Sequence, residues 1–199
     1  MDINSKAIYF LKSNVSIKMK QIETERLILR ELKLSDLDRF YLMDSNPEVV
    51  KFIEPVKNRE QILKNIQNVQ NQYKENGIGR WAVIEKESRL FIGWSGFKYY
   101  KEGVNNHSNY YDLGYRFMPE YWGKGYATET SIAWMKYGFE HLSKDTFYAT
   151  THVDHEASKN VLKKVGFKYV ETFDDEGDPT DWLKVTREDW EISQNMRNF

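Results

Sequence analysis

Two glycines set two positions apart, Gly123 and Gly125, stand between an apolar alternating stretch (Leu113, Tyr115, Phe117) closed by Pro119 and a long amphipathic run beginning near Tyr126. The pattern reads as a strand, a glycine turn and a helix start. The chemistry it offers is anion binding. The first turn of a helix has unbonded N–H groups and the positive end of the helix dipole, so it attracts phosphate. Glycine lets the backbone approach the bound group closely. Two phosphate loops are ruled out by spelling. No Gly-x-x-x-x-Gly-Lys-Ser/Thr string is present, and Thr128 stands where a Gly-x-Gly-x-x-Gly fingerprint needs its third glycine. Two glycines by themselves favour an ordinary turn before a helix, and the phosphate reading stands on the longer string and on the segments that agree with it.

Those segments follow a readable order. Arg26 to Leu32 alternates as a first strand, and Ser35 suits the N-cap of a short helix through Leu42. Asn58 can cap a longer helix with Ile62, Ile66, Val69 and Tyr73 at helical spacing, ended by Asn76-Gly77. Strand-like runs follow at Arg80–Glu85, Leu90–Tyr99 and Tyr110–Phe117. The helix after the glycine turn carries Thr128, Ile132, Met135, Phe139 and Leu142 on one face. Thr146–Val153 is a further strand, Glu156–Val165 a helix stopped by Gly166, and Lys168–Phe173 with Trp182–Val185 a hairpin around an acidic loop. Thr186-x-x-Asp189 resembles a capping box before a last helical turn. This order predicts a mixed α/β sheet with helices on both faces.

Composition narrows the rest. The 199 residues suit one domain, read as residues 21–199 behind an N-terminal extension over 1–20. A net charge of −1 implies no general affinity for nucleic acid or anionic membrane. The chain has no cysteine, which excludes disulfides, cysteine-based zinc sites and a thiol nucleophile. No metal site is expected. The apolar run Ala7–Leu11 is too short to span a membrane and lacks a cleavage site, so a cytoplasmic protein is expected.

The string Tyr121-Trp122-Gly123-Lys124-Gly125-Tyr126-Ala127-Thr128-Glu129 resembles the acyl-CoA loop of the GNAT N-acetyltransferases, Gln/Arg-x-x-Gly-x-Gly/Ala, with Gly125 and Ala127 at its last two small positions and Trp122 at the Gln/Arg position. It is most similar to the branch of ribosomal-protein N-terminal acetyltransferases of the RimJ/RimL type. A second segment, Ala157-Ser158-Lys159-Asn160-Val161-Leu162-Lys163-Lys164-Val165-Gly166-Phe167, resembles that family's C-terminal helix. Ser158 matches its serine. His155 stands where the family often has asparagine, and Leu162 stands where many members place an acidic tyrosine.

The resemblance implies a GNAT fold over roughly residues 20–190, its mostly antiparallel sheet splayed between the fourth and fifth strands. It implies an acetyl-CoA-dependent N-acetyltransferase acting on a primary amine by direct attack in a ternary complex, as a monomer or homodimer. The cofactor residues carried over are Phe117, Met118, Trp122, Gly123, Lys124, Gly125, Tyr126, Ala127, Thr128, His155 and Asn160. Phe117 and Met118 occupy the strand position whose backbone N–H would face the carbonyl oxygen. Ser158 is the candidate to meet the leaving thiolate. An alkyl ammonium, with a pKa near ~10, must lose a proton before it attacks. Asp112 is the first candidate base, with Glu129, His107 and His152 as further options. The acidic stretch Asp174–Asp181 would attract a cationic acceptor, and Phe52, Trp94 and Tyr99 could wall its pocket. An acyl-CoA sensor without turnover and a domain for some other nucleotide are the competing functions.

Overall fold

Eight strands account for most of the backbone pairing. In the computed structural model, which describes residues 21–196 apart from 54, they are β1 Gln21–Glu23, β2 Leu27–Arg30, β3 Arg80–Glu85, β4 Phe91–Tyr100, β5 Tyr110–Phe117, β6 Thr146–His152, β7 Lys168–Asp175 and β8 Asp178–Thr186. The extension expected over residues 1–20 lies outside the described residues. Six helices connect the strands: α1 Leu37–Asp44, α2 Pro47–Val50, α3 Arg59–Asn76, α4 Tyr126–His141, α5 Glu156–Val165 and α6 Arg187–Asn195. None is long and apolar enough to cross a membrane.

The sheet order is β1-β2-β3-β4-β5-β6-β8-β7. Every neighbouring pair is antiparallel except β5 and β6, which run parallel and meet at the single register pair Asp112↔Tyr148. Beyond that point the two strands part. This is the expected splay, shifted by one in strand number because β1 is three residues long, largely exposed and carries no readable pattern.

Local chemistry explains the element ends. Asn58 accepts the N–H of Gln61 at 3.0 Å, Gln61 answers on the Asn58 N–H, and Gly77 closes α3 in the left-handed conformation. Thr186 and Asp189 form the reciprocal box that starts α6. Ser35 does not cap α1. A short 3₁₀ turn at Leu34–Asp36 intervenes, and Asp36 spends its carboxylate on Arg30 and on the N–H of Lys33.

The two faces of the sheet bury separate cores. One face holds Trp81, Phe97, Leu113 and Phe147 under Trp134, Met135 and Phe139 of α4, while the other holds Phe91 and Trp94 against Phe40, Met43, Ile62 and Ile66. The buried residues of α4 are Tyr126, Thr130, Ser131, Trp134, Met135, Gly138 and Phe139, a face rotated from the expected stripe. Close approach causes the rotation. A Cβ at Gly138 would lie 2.7 Å from Phe147 and 2.9 Å from Phe97, a constraint that a count of apolar residues misses. The acidic hairpin also differs from expectation. Its loop is the two-residue turn Glu176-Gly177, both at positive φ, and the remaining acidic residues continue the strands.

Candidate active site

Where β5 and β6 part, a cleft of about 790 Å³ opens through the molecule. One end is built by the β5–α4 turn. Gly123 (φ 72°) and Gly125 (φ 82°) both take the left-handed conformation. Gly125 is the N-cap of α4 and offers no side chain to bond the first-turn N–H groups. The helix start is therefore an uncapped donor site lined by Tyr126, Ala127 and Thr128.

A network of side chains holds this turn. Glu129 accepts from Thr24 Oγ1 at 2.5 Å, the Arg26 N–H at 3.1 Å and Arg26 Nε at 2.8 Å. Arg26 Nη1 then donates to the carbonyl of Lys124 at 2.9 Å, and its guanidinium lies 4.5 Å from the Tyr126 ring centroid. Burial by itself would raise the Glu129 carboxyl, but the bonds from Thr24 and Arg26 outweigh it and hold it below the usual range. Glu129 is thus committed to positioning the turn. Trp122, 47% exposed, braces the other side by donating Nε1–H to the Phe117 carbonyl at 2.7 Å. Lys124 does not line the cleft; its ammonium lies 5.0 Å from the Tyr121 ring centroid.

The middle of the cleft is the open edge of β5. In the β4–β5 ladder Phe117 faces Gly93, and the bonds at this point are made by the flanking residues. The Met118 N–H donates to Ile92 O at 3.0 Å. Alternation then turns the N–H groups of Tyr115 and Phe117 toward β6, which does not pair with them. The expected sharing of the oxyanion position between Phe117 and Met118 is corrected accordingly: the donor facing the cleft is Phe117. Met118 is buried, away from the cleft lining, with its sulfur 3.3 Å from Arg39 Nη2.

Across this edge stands α5. Tyr115 donates its hydroxyl to Ser158 O at 3.1 Å and lies 3.2 Å from Ser158 Oγ. Burial pushes the Tyr115 phenol well above its ordinary value, so it remains a proton carrier at neutral pH. Sequence reasoning found Ser158 and missed Tyr115. It searched for a tyrosine on the helix, and the hydroxyl arrives from the facing strand instead. Asn160 and His155 also line the cleft.

The floor toward the other end is a layered group. The Arg80 and Arg116 guanidiniums lie 4.6 Å and 5.2 Å from the Trp94 ring centroid. Arg80 bonds Asp112 at 2.8 Å and Arg116 bonds Asp44 at 2.8 Å. Asp112 is 3% exposed at the splay point, with one carboxylate oxygen on Arg80 and the other bonded to none of the described residues. The expected base is therefore committed to a buried ion pair. His107 stacks on Trp182 at 4.8 Å, outside the cleft. Of the expected aromatic wall, Phe52 and Trp94 line the cleft and Tyr99 does not; it packs on Tyr111 instead. Asp175 and Asp178 reach the cleft, whereas Asp174 bonds the Gly177 N–H in the turn at 2.8 Å and Asp181 accepts from Thr172 at 2.7 Å.

A strand edge opened toward an uncapped, glycine-shaped helix start offers main-chain donors to an extended ligand that carries an anionic group. The family model described as "Acetyltransferase (GNAT) domain" matches residues 26–168. An uncharacterized N-acetyltransferase of Bacillus subtilis, YoaA, is 31% identical over 149 residues, 74% of this chain and 82% of its own length. A GNAT-family acetyltransferase structure from Bacillus anthracis superposes with a TM-score of 0.71 at 24% identity, covering 84% of this chain and 99% of that one. RimL, a ribosomal L7/L12 alpha-N-protein acetyltransferase solved with coenzyme A, superposes with a TM-score of 0.71 at 16% identity over 83% and 97% of the two chains. This chain belongs to the GNAT acetyltransferase family and is an N-acetyltransferase.

Proposed function

We propose that the protein moves an acetyl group from acetyl-CoA to a primary amine in a ternary complex, in the manner of the RimJ/RimL-like branch. The acceptor class is a protein N-terminus, a polyamine, an aminosugar or another small amine. The working unit is one domain over residues 21–199, monomeric or homodimeric and cytoplasmic. The observation that carries the reading is the continuity of the opening between β5 and β6 with the uncapped start of α4.

The residues fit the cofactor. First-turn amides of Tyr126, Ala127 and Thr128, with Gly123 and Gly125 bending the chain, would hold the diphosphate. Phe117 and Asn160 of α5 would flank the pantetheine arm, with Trp122 bracing the strand end. When bound, acetyl-CoA supplies an activated thioester carbonyl. The Phe117 N–H stabilises charge on the carbonyl oxygen. The Tyr115–Ser158 pair would hold a proton within reach of the departing sulfur. Asp112 keeps Arg80 in the cleft floor, and the acidic rim at Asp175 and Asp178 favours a cationic acceptor.

Titration calorimetry with coenzyme A tests the cofactor assignment. One molecule bound per chain, lost on adding bulk at Gly125, is the expected result. No binding heat from the intact protein would sink it.

A further inference from the structure

We propose that His155 is the group that takes the proton from the incoming ammonium, held for that work by Phe52 and His152. The proposal deepens the amine N-acetyltransferase reading and rests on it. His155 is the N-cap residue of α5, and its main-chain N–H bonds His152 O at 2.9 Å. The Phe52 ring stacks on its imidazole at a centroid distance of 4.9 Å and an interplanar angle of 25°. The same Phe52 ring lies 5.4 Å from His152. Phe52 comes from the turn after α2, so two segments distant in sequence, that turn and the β6–α5 connection, meet at this imidazole. Among the described residues none bonds either ring nitrogen of His155.

Its position along the cleft suits a base. Ser158 lies three residues further along α5, one turn away on the same helix face. Ser158 with Tyr115 marks where the sulfur leaves. On its other side His155 is bonded to His152, which pairs with Thr180 of β8, two residues from Asp178 of the acidic rim. His155 is thus between the acceptor entrance and the leaving group. Its rivals have other work: Asp112 is paired with Arg80, Glu129 holds the cofactor turn, and His107 is outside the cleft. His152 takes the Asp154 N–H on Nδ1 at 3.0 Å, which leaves its own neutral-state proton on Nε2.

The surroundings keep the imidazole ready. Burial, and then the neighbouring His152, push His155 below the ordinary 6.5. The charged groups around it are mixed. Lys51 lies 5.0 Å from the Phe52 ring, Glu48 lines the cleft from α2, and Asp154 precedes it. Glu156 is bonded to Lys159 at 2.6 Å, and Asp175 and Asp178 line the cleft from the hairpin. At pH 7 His155 is neutral and able to accept.

The proton inventory closes. An ammonium N–H bond breaks, its proton goes to a ring nitrogen of His155, and the electron pair stays on the amine nitrogen. That nitrogen forms the new C–N bond, the C–S bond breaks, and sulfur leaves with its electron pair. The nitrogen gives up a second proton, sulfur gains one, and His155 passes the first to solvent. One proton is released per turnover.

The test compares the wild type with His155→Gln, His155→Asn and Asp112→Asn. Thiol release from acetyl-CoA is followed with 1,4-diaminobutane, glucosamine and an alanine-terminated peptide, and with hydroxylamine, which is already neutral at pH 7. His155→Gln should bind CoA within about twofold of wild type and lose roughly 10²–10³-fold in kcat/KM with the alkylamines, but far less with hydroxylamine. The wild-type acid limb should lie below pH 6.5 and vanish in both His155 variants. NMR titration of the wild-type imidazole should give the same pKa. An unchanged limb, an imidazole titrating at or above 6.5, or a limb abolished by Asp112→Asn instead would overturn the proposal. So would a tenfold loss of CoA affinity with turnover preserved at saturating CoA, which would make His155 a cofactor contact. If the wild type releases no thiol with any of these amines, the amine-transfer reading itself fails and takes the inference with it.

Discussion

The two ends of the cleft present different chemistry. The α4 end presents main-chain amides, and side chains act behind them: Arg26, Glu129 and Thr24 hold the turn without entering the cleft lining. The hairpin end presents side chains: Phe52, Trp94, His152, His155, Asp175 and Asp178, drawn from widely separated segments. Amides do not change with side-chain substitution, so the first end suits a ligand common to a whole family. The second can be rebuilt residue by residue, which suits an acceptor that differs between members.

The sharpest way to break this contrast is to add side chains where only backbone should matter. Gly125→Val forces a β-branched residue to φ 82°, with its Cβ about the Arg26 guanidinium at 3.5 Å. A left-handed β-branched residue costs about 2 kcal/mol, so the CoA dissociation constant should rise roughly thirtyfold, read by calorimetry. KM for the acceptor at saturating CoA should not move. An unchanged CoA affinity would mean that the turn does not seat the cofactor.

A smaller effect comes from the support behind the turn. Glu129→Ala frees Thr24 and Arg26 from their shared acceptor and loosens the Arg26 bond to the Lys124 carbonyl. Acting only through the turn's position, it should weaken CoA binding about fivefold, close to 1 kcal/mol. A collapse of turnover with CoA binding intact would instead return Glu129 to the catalytic candidates.

How much of each end was legible in the sequence follows the same division. The cofactor turn was readable because its parts are contiguous: Pro119, Gly123, Gly125 and the helix start are one local unit. The order of elements from β2 onward was readable from alternation and the splay from the resemblance, and Gly77 and Thr186 marked helix ends by local capping. The acceptor end was not readable, because no local pattern says that Phe52 stacks on His155 or that Tyr115 reaches Ser158. Asp112, expected as the base, does line the cleft, but its partner Arg80 is on another strand, so its ion pair was invisible. Met118 was placed correctly in sequence yet lost its role to the alternation of backbone N–H groups. The acidic loop failed for a third reason. Asp and Pro read as turn formers, whereas pairing with β7 and β6 carries them into strand.

The smallest effect, and the one that most directly probes the second end, concerns the hairpin rim. Of the acidic residues in the hairpin, Asp175 and Asp178 reach the cleft, while Asp174 and Asp181 are used inside the fold. The two cleft residues are exposed, so each acts through screened attraction worth a few tenths of a kcal/mol to about 1 kcal/mol. Asp175→Asn with Asp178→Asn should raise KM for 1,4-diaminobutane roughly threefold at low salt and leave CoA affinity untouched. The difference should disappear as the ionic strength is raised toward ~1 M, where the screening length shrinks to about 3 Å. Asp174→Asn, on the same hairpin but turned into its own loop, is the internal control and should leave KM unchanged. If Asp174→Asn raises KM as much as the double substitution, the effect comes from general hairpin charge and not from the cleft rim. The acceptor end would then select by the shape of Phe52 and Trp94, with its carboxylates serving only solubility.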